Sequence, residues 1–378
     1  MSRPDQRPMH RLPVLEARRT ELETCVFCPK LCRTACPVSN VEHTETLIPW
    51  GKMSSAYFVA TGDVPATESF ARTSLACTGC YACRELCDHK NDVAGTLLAA
   101  RAAEADLGIL PASATQVTKT FSRHTDRVRT AVRALSHPRT VHPGAKTALL
   151  VGCTYARRAH PEALDAIRAA TGLLREPVAL VEECCGLPLL LSGDPRGFAR
   201  QATQLAAQVD RHSRLLVVDA GCASALKLRY PEVGARVSPS IELLVELAAD
   251  ELTKLRPVPR EPRDETRVRY HDPCQLGRGL GVYEAPRRVL AHVLGRAPDE
   301  LPQHGRMGAC SGGGGLVPVT MPETSRKIAH ERQAEHVRAG GGELVTACAS
   351  SLLSLRRGGP APVSDLVSWI AKAVAPYP

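Results

Sequence analysis

The sequence predicts an α+β protein in which a small, mostly helical, cysteine-rich domain precedes two homologous α/β domains with small parallel sheets. Three observations predict this class. Two runs of four cysteines occupy the first quarter of the chain, Ala/Leu-rich helical sequence follows them, and from Lys146 onward short apolar runs alternate with amphipathic helices. Such alternation is typical of parallel sheets, which bind ligands at the carboxyl ends of their strands.

The two cysteine runs have spacings typical of iron–sulfur ligation. The first is C-x2-C-x3-C-x3-C-P over residues 25–37, and the second is C-x2-C-x2-C-x3-C over residues 77–87. The second spacing is that of two-cluster ferredoxins, in which the fourth cysteine of each run binds the other cluster. Two zinc sites or a disulfide framework are the alternatives, although zinc usually takes paired C-x2-C knuckles. The runs therefore predict two 4Fe-4S clusters: cluster 1 on Cys25, Cys28, Cys32 and Cys87, and cluster 2 on Cys77, Cys80, Cys83 and Cys36.

Helical segments are predicted around and after the cysteine runs. Residues 1–24 form a basic lead-in that ends in a short helix, and 94–107 form an Ala/Leu-rich helix that closes the first domain. Apolar residues recur at helical spacing in 117–135, and a Pro- and Gly-containing stretch then breaks that helix. The predicted boundaries are therefore 1–108 for the two-cluster domain and 109–145 for a helical linker.

From residue 146 the chain repeats one unit at a nearly constant offset of roughly 120 residues. The matching positions are Cys153 with Cys274, Cys185 with Cys310, and Cys222 with Cys348. The Pro-rich segment 256–263 separates the copies, which predicts domains at 146–255 and 266–378. The predicted helices are 161–171, 195–212 and 241–255 in the first copy, and 284–294, 323–339 and 363–374 in the second.

Composition limits the compartment and the partners. Fifteen cysteines grouped beside Gly and Pro predict metal ligation in a reducing compartment. No apolar run approaches about 18 residues, and the N-terminus lacks an apolar signal core. We therefore predict a cytoplasmic protein, with a peripheral position at the inner face of the membrane, through a partner, as the alternative. The net charge is +9. The basic segment 101–146 is interpreted as a solvated helix face or as a surface for an acidic partner. No nucleic-acid motif is present.

The second half of the chain resembles the cysteine-rich CCG domain pair. The residues that carry the resemblance are Cys153, Cys184-Cys185-Gly186 and Cys222, then His271-Asp272-Pro273-Cys274, Cys310-Ser311-Gly312 and Val345-Thr346-Ala347-Cys348. A two-cluster ferredoxin domain followed by two CCG domains resembles the heterodisulfide reductase D-type subunits. It also resembles the iron–sulfur subunits of glycolate oxidase, lactate-utilisation and anaerobic glycerol-3-phosphate dehydrogenase systems. The resemblance covers nearly the whole chain from Cys25.

The resemblance implies an iron–sulfur electron-transfer subunit of a multi-subunit oxidoreductase. It implies a flavoprotein dehydrogenase or an electron-transfer flavoprotein as one partner, and a quinone, a membrane cytochrome or a thiol/disulfide as acceptor. Two other functions stay open: a catalytic disulfide reductase with its site at the CCG pair, and a zinc-containing redox sensor or scaffold. The sequence does not decide whether the chain is itself catalytic.

The sequence departs from the five-cysteine pattern of the disulfide-reducing members. The first CCG set consists of Cys153, Cys184, Cys185 and Cys222, with Ala225 at the fifth position. Four thiolates predict a third iron–sulfur cluster or a zinc ion. The second CCG set consists of Cys274, Cys310 and Cys348, with Ala309 and Ser351 at the other positions.

Three thiolates predict an open coordination position, a site completed by another ligand such as His271, or an empty site. The glycines of segment 312–315 predict a close approach of the backbone to the sulfur site, and a phosphate cradle is the alternative.

Overall fold

The computed structural model describes residues 12–259 and 267–377. Two predictions fall partly outside these ranges: the first eleven residues of the lead-in, and residues 260–263 of the Pro-rich segment between the copies. Contacts divide the chain into two units. The first unit contains the chain up to residue 119 together with 188–195 and 312–328, and the second contains 120–187, 196–311 and 329–378.

The first unit is built mainly from short helices. They are α1 (Arg19–Val26), α2 (Pro37–Glu42), α3 (Pro49–Thr61), α4 (Glu68–Leu75), α5 (Ala82–Glu85), α6 (Val93–Asp106) and α7 (Ala112–Lys119). Proline begins α2 and α3, where no backbone N–H is needed, and Asp92 caps α6 by accepting from the N–H of Gly95 at 3.0 Å. Leu22, Met53 and Leu97 are buried in the hydrophobic core formed by α1, α3 and α6.

The first copy of the repeat in the second unit surrounds a parallel sheet with the strand order β2-β1-β3-β4. Its strands are β1 (Thr147–Leu150), β2 (Ala179–Leu180), β3 (Arg214–Val217) and β4 (Ser240–Leu243). Helices in this part of the chain are α8 (Phe121–Arg133), α9 (Cys153–Arg158), α10 (His160–Leu174), α11 (Leu187–Leu191), α12 (Pro195–Val209), α13 (Ala220–Ser224) and α14 (Leu244–Asp250). All four residues of β1 are buried, as expected for a parallel sheet covered on both faces.

The second copy contains a three-stranded parallel sheet with the order β5-β6-β7. Its strands are β5 (Val268–Tyr270), β6 (Glu343–Thr346) and β7 (Val363–Asp365), and its helices are α15 (Glu284–Leu294), α16 (Val317–Thr320), α17 (Pro322–Arg338), α18 (Ala349–Gly358) and α19 (Leu366–Ala373). The predicted α+β class with small parallel sheets is therefore confirmed. No helix of the described residues is both long and apolar enough to cross a bilayer.

Two predicted helices, 241–255 and 363–374, are wrong at their starts. Residues 240–243 form β4 beside β3, and residues 363–365 form β7 beside β6. A run of three or four residues has the same apolar pattern in a short strand and in the first turn of a helix, so pairing with a neighbouring strand decides between them. The strand-end placement of Cys153, Cys222, Cys274 and Cys348 is confirmed, because each follows β1, β3, β5 or β6 within a few residues.

Two segments that follow the cysteine motifs of the repeat belong to the first unit. Residues 188–195 begin three positions after Cys185, and residues 312–328 begin two positions after Cys310. In the second segment, Leu316 packs in a buried cluster with Leu75 and Leu110. We call these stretches the returning segments.

The glycines of the second returning segment approach the second cysteine run. Gly315 has a φ of +64°, and a Cβ added there would lie 1.9 Å from the carbonyl oxygen of Cys77. Gly314 approaches the carbonyl oxygen of Thr78 in the same way, with a corresponding distance of 2.5 Å. The glycines therefore do allow a close approach of the backbone, but the neighbour is the second ferredoxin-type run and not the CCG sulfur site for which the approach was predicted. Only glycine fits at Gly315.

Candidate iron–sulfur and metal sites

The four cysteines assigned to cluster 1 lie together in the first unit. Cys25 is in the last turn of α1, and its thiol interacts electrostatically with Cys32, Cys87 and Cys28. Burial raises the pKa of Cys25 to about 12 and that of Cys32 to about 11. The side-chain amide of Asn91 donates a hydrogen bond to Cys25 Sγ at 3.1 Å. This set therefore combines neighbouring thiols with a neutral hydrogen-bond donor.

The cysteines assigned to cluster 2 also lie together, and a buried lysine contacts them. The Cys83 thiol interacts with Cys80, Cys77 and Cys36, and burial raises its pKa. Lys52 of α3 places Nζ 3.2 Å from Cys36 Sγ. Burial opposes the charge of Lys52, but the nearby cysteines outweigh it and raise the pKa of the ammonium group. The chemistry of this set favours a bound group that carries negative charge.

Arg101 joins the second cysteine run to both returning segments. It is buried in α6 and donates to the carbonyl oxygens of Ser74, Cys77, Leu191 and Gly315, each at 3.0 Å. Burial lowers the pKa of Arg101, against the effect of the Cys77 thiol. Its guanidinium therefore fixes three stretches of chain that are far apart in the sequence.

The distances between the thiols of the first unit limit which kind of metal group they can bind. Zinc binds sulfur at about 2.3 Å, so four tetrahedral sulfur ligands lie roughly 4 Å apart. Among the described residues, one group of three Cys, His, Asp or Glu ligand atoms lies within 4.8 Å of one another, and it is His124 with Cys153 and Cys184. No three of the eight cysteine sulfurs in the described part of the first unit lie this close together, so they lack the spacing that a single zinc ion requires.

The first CCG set forms a connected group of thiols at the carboxyl ends of β1 and β3. Hydrogen bonds link Cys153 to Cys184, Cys184 to Cys185, and Cys185 to Cys222. The bond from Cys184 lowers the pKa of Cys153 to about 5, against the effect of burial. The bonds from Cys184 and Cys222 lower the pKa of Cys185, whereas donation to a neighbouring thiolate raises the pKa of Cys184 and Cys222. Along this connected set, cysteines with a lowered pKa therefore alternate with cysteines whose pKa is raised.

His124 extends this set, and sequence reasoning missed it. It lies on α8, in the segment predicted as a linker, and a ring nitrogen lies within 4.8 Å of the sulfurs of Cys153 and Cys184. Arg157 donates to Nδ1 at 2.9 Å. Because arginine only donates, a neutral His124 ring carries its proton on Nε2, which is buried and has no oxygen or nitrogen partner among the described residues. That N–H is available to a thiolate. No spacing motif connects His124 to the cysteines.

Asp219 connects the two copies beside the thiols. Its carboxylate accepts from the backbone N–H of Gly221 at 2.9 Å, Cys222 at 3.2 Å and Ala349 at 3.2 Å. Burial raises the pKa of Asp219 to about 6. Gly152, with a φ of +96°, allows this arrangement, because a Cβ there would lie 2.9 Å from Asp219 Cβ and 3.4 Å from Cys222 Sγ.

The second CCG set has different surroundings. The Cys348 thiol interacts with Cys274 and with the hydroxyl of Ser351, which stands at one of the missing cysteine positions. Ser351 also hydrogen-bonds to Ser311 at 3.0 Å between hydroxyl oxygens. Cys310 interacts electrostatically with the buried Arg332.

His271, considered above as an additional ligand, is bound to arginine. Arg332 Nε donates to His271 Nδ1 at 3.1 Å, which occupies that nitrogen. Burial lowers the pKa of His271 and keeps the ring neutral. The second set therefore has Ala309 where the first has the thiol of Cys184, and a hydroxyl at Ser351 where the first has Ala225. Its histidine directs one nitrogen to Arg332.

The sequence matches two family models. A 4Fe-4S dicluster domain matches residues 21–91, and a cysteine-rich (CCG) domain matches residues 147–227 and again 268–356. A fumarate reductase (CoM/CoB) subunit of Methanothermobacter marburgensis is 27% identical over 330 residues, which cover 84% of this chain and 64% of that protein. A dihydromethanophenazine:CoB–CoM heterodisulfide reductase subunit of Methanosarcina mazei is 30% identical over 205 residues, 51% of this chain and 50% of that protein.

The chain thus spans about half to two thirds of the length of these curated relatives. Among solved structures, a hypothetical protein from Helicobacter pylori has a TM-score of 0.52 at 10% sequence identity. That match covers 94% of this chain and 75% of the other chain. At this level of identity the likeness concerns the fold alone.

Proposed function

Because the chain belongs to the family that joins a 4Fe-4S dicluster domain to two cysteine-rich CCG domains, we propose that it is an iron–sulfur electron-transfer subunit of a multi-subunit oxidoreductase. The observation that carries the proposal is the grouping of eight cysteines into two neighbouring sets of four, each with a buried donor to sulfur. Iron–sulfur clusters on these sets would take up and release one electron at a time. The proposed ligands are Cys25, Cys28, Cys32 and Cys87 for cluster 1, and Cys36, Cys77, Cys80 and Cys83 for cluster 2.

The protein residues bind the clusters, exclude water and adjust the charge around them. Burial keeps solvent from Cys25, Cys36 and Cys80. Asn91 and Lys52 donate to ligand sulfurs, which is how surrounding groups change the potential of a cluster. Arg101 fixes the backbone that carries Cys77.

In the second unit we propose a metal site on the first CCG set. Zinc is the occupant we propose, because Cys153 and Cys184 lie with a nitrogen of His124 at the close spacing of zinc ligands, and hydrogen bonds connect Cys185 and Cys222 to them. The Nε2 proton of His124 is available to the Cys153 sulfur. A third iron–sulfur cluster is the alternative occupant. For the second CCG set, which has three cysteines and whose Ser351 hydroxyl is bonded to Ser311, we propose no bound metal.

The proposed partners are a flavoprotein dehydrogenase or an electron-transfer flavoprotein as donor, and a quinone, a membrane cytochrome or a thiol/disulfide as acceptor. The two relatives above are named as reductase subunits, which supports assembly with other chains. Through such a partner the chain would lie at the cytoplasmic face of the membrane.

A second candidate function is catalytic reduction of a disulfide at the CCG pair. The name of the Methanosarcina mazei relative, a heterodisulfide reductase subunit, favours it. Three positions count against it, because the disulfide-reducing members have cysteine there and this chain has Ala225, Ala309 and Ser351.

The test is metal and sulfide analysis of the full-length protein purified without oxygen, with EPR spectra recorded during reduction by dithionite. We expect about eight irons per chain, two reducible clusters and about one zinc. About twelve irons would assign a cluster to the first CCG set, and about four or fewer in fully loaded protein would contradict the proposal. A Cys153→Ser variant should lose the zinc and keep both EPR signals, which separates the two units. Thiol-dependent disulfide reduction by the isolated protein would support the second candidate.

A further inference from the structure

Two buried cations lie beside the cluster 2 cysteines. Lys52 and Arg101 are each only 2% exposed. Lys52 Nζ contacts Cys36 Sγ at 3.2 Å, and its charge also interacts with Cys77 and Cys83. Arg101 donates to the carbonyl oxygen of Cys77 at 3.0 Å, and its charge interacts with the thiol of the same residue. Both positive charges therefore act on this set from a region without solvent.

Glu104, whose carboxyl group interacts electrostatically with Arg101, does little to cancel these positive charges. Glu104 is 0% exposed and accepts a hydrogen bond from the hydroxyl of Ser74 at 2.5 Å. Burial raises the pKa of Glu104 to about 8. At neutral pH this side chain is mostly protonated, so the charges of Lys52 and Arg101 remain.

The cluster 1 cysteines have a different environment. Asn91 Nδ2 donates to Cys25 Sγ at 3.1 Å and to the carbonyl oxygen of Glu21 at 2.7 Å. Burial has the largest effect on the pKa of both Cys25 and Cys32, and neighbouring cysteines raise both further. The hydrogen bond from Asn91 lowers the pKa of Cys25. Close to this set, Lys90 is exposed and donates to the carbonyl oxygen of Glu85 at 2.9 Å. Solvent screens such a charge.

We propose that Lys52 and Arg101 raise the reduction potential of the cluster on Cys36, Cys77, Cys80 and Cys83 above that of the cluster on Cys25, Cys28, Cys32 and Cys87. The inference rests on the proposed function. Reduction adds one negative charge, and a buried positive charge stabilises that added charge more than a neutral amide does. With both clusters bound, an electron given up by a cluster on the Cys25 set would be taken up by a cluster on the Cys36, Cys77, Cys80 and Cys83 set, where it would be the more stable.

Arg101 gives this order a structural consequence. The same guanidinium that acts on Cys77 also donates to Leu191 and Gly315, in the returning segments that follow the two CCG motifs. The cluster with the higher potential would therefore be the one whose ligand backbone Arg101 connects to these segments.

The experiment is an EPR-monitored redox titration of the cluster-loaded, full-length protein and of four variants. We expect Lys52→Met to lower the higher of the two one-electron potentials by at least about 59 mV, which corresponds to a tenfold change in the equilibrium constant. Lys52→Arg keeps the charge and should retain most of the difference. Lys90→Met is the matched control for an exposed lysine and should change neither potential by a measurable amount. Asn91→Ala should lower only the lower potential.

A second measurement does not depend on how Lys52→Met assembles. Replacing one ligand by serine in each set should alter one EPR signal, Cys83→Ser the higher-potential signal and Cys28→Ser the lower. The reverse assignment, or an effect of Lys52→Met on the lower potential or on neither, would overturn the inference. If the unaltered protein lacks two reducible clusters, the proposed function itself fails, which is a separate result.

Discussion

His124, which no sequence motif contains, is expected to affect how tightly the first CCG set binds a metal. Because Arg157 holds Nδ1, the Nε2 proton of a neutral ring can stabilise the Cys153 thiolate, as groups around a metal's ligands commonly do. We predict that His124→Ala retains the bound metal and weakens its affinity roughly 10- to 100-fold. Competition with a chelator measures this change.

The same measurement has a clear contrary result. Complete loss of the metal from anaerobically prepared His124→Ala would mean that the ring is itself a ligand. His142, which is exposed and whose Nδ1 accepts from the backbone N–H of Gly144 at 3.1 Å, offers a matched control. Its replacement by alanine should leave the metal affinity unchanged.

Arg101 illustrates the cost of removing a buried donor. Four carbonyl oxygens would lose hydrogen bonds in Arg101→Met, each lost partner costing about 1 to 3 kcal/mol. We predict a destabilisation of at least about 3 kcal/mol, visible as a lower temperature of cluster loss. Arg72→Met is the control: Arg72 forms an exposed pair with Glu68, worth less than about 1 kcal/mol. Equal effects of the two substitutions would contradict this account of Arg101.

At the scale of an element, the returning segment 312–328 depends on a glycine. In Gly315→Ala the added methyl group would lie 1.9 Å from the Cys77 carbonyl oxygen, so the segment or the cysteine run must move. We predict that this variant loses the cluster 2 EPR signal and also loses about half of the iron that the first unit binds. Gly295→Ala is a matched control, because Gly295 has a similar φ of +69° and no atom within 4 Å of the added carbon. Full iron content in Gly315→Ala would show that the segment is not held against Cys77.

The elements also show which features sequence patterns can predict. The cysteine runs could be predicted because ligand spacing within one loop is local. The strands before Cys153 and Cys348 could be predicted because each short apolar run leads to a cysteine of the repeat. The strands β4 and β7 were not readable, because a few residues have no distinctive period and acquire their conformation by pairing with β3 and β6. His124 was missed for a related reason: its contact with Cys153 and Cys184 exists only after α8 packs against α9.

At the scale of the whole molecule, the order of residues along the chain differs from their grouping in space. Residues 188–195 and 312–328 belong to the first unit, yet they lie inside the two domains, 146–255 and 266–378, that the sequence predicts. Long-range contacts such as Leu316 with Leu75 determine this grouping. The domain boundaries given by sequence stay predictions.

The pH dependence of stability provides a test of the buried interior of the first unit. Glu104 is buried beside Ser74 and Arg101, and its pKa is raised from 4.5 to about 8, mainly by burial. Between these values the folded protein keeps a proton that the unfolded chain releases, so stability falls as pH rises from about 4.5 to 8. The slope is at most about 1.4 kcal/mol per pH unit for one group.

We therefore predict that Glu104→Gln flattens the decrease in apparent Tm of the cluster-loaded protein between pH 6 and pH 8, and that the variant is the more stable protein at pH 8. The introduced amide would keep an oxygen for the Ser74 hydroxyl while removing the ionisation. Glu68→Gln, on the exposed face of α4, should leave the slope unchanged. Circular dichroism under anaerobic conditions measures all three proteins. Parallel pH profiles for Glu104→Gln and the unaltered chain would mean that Glu104 is ionised in the fold, and that its negative charge offsets the cations beside cluster 2.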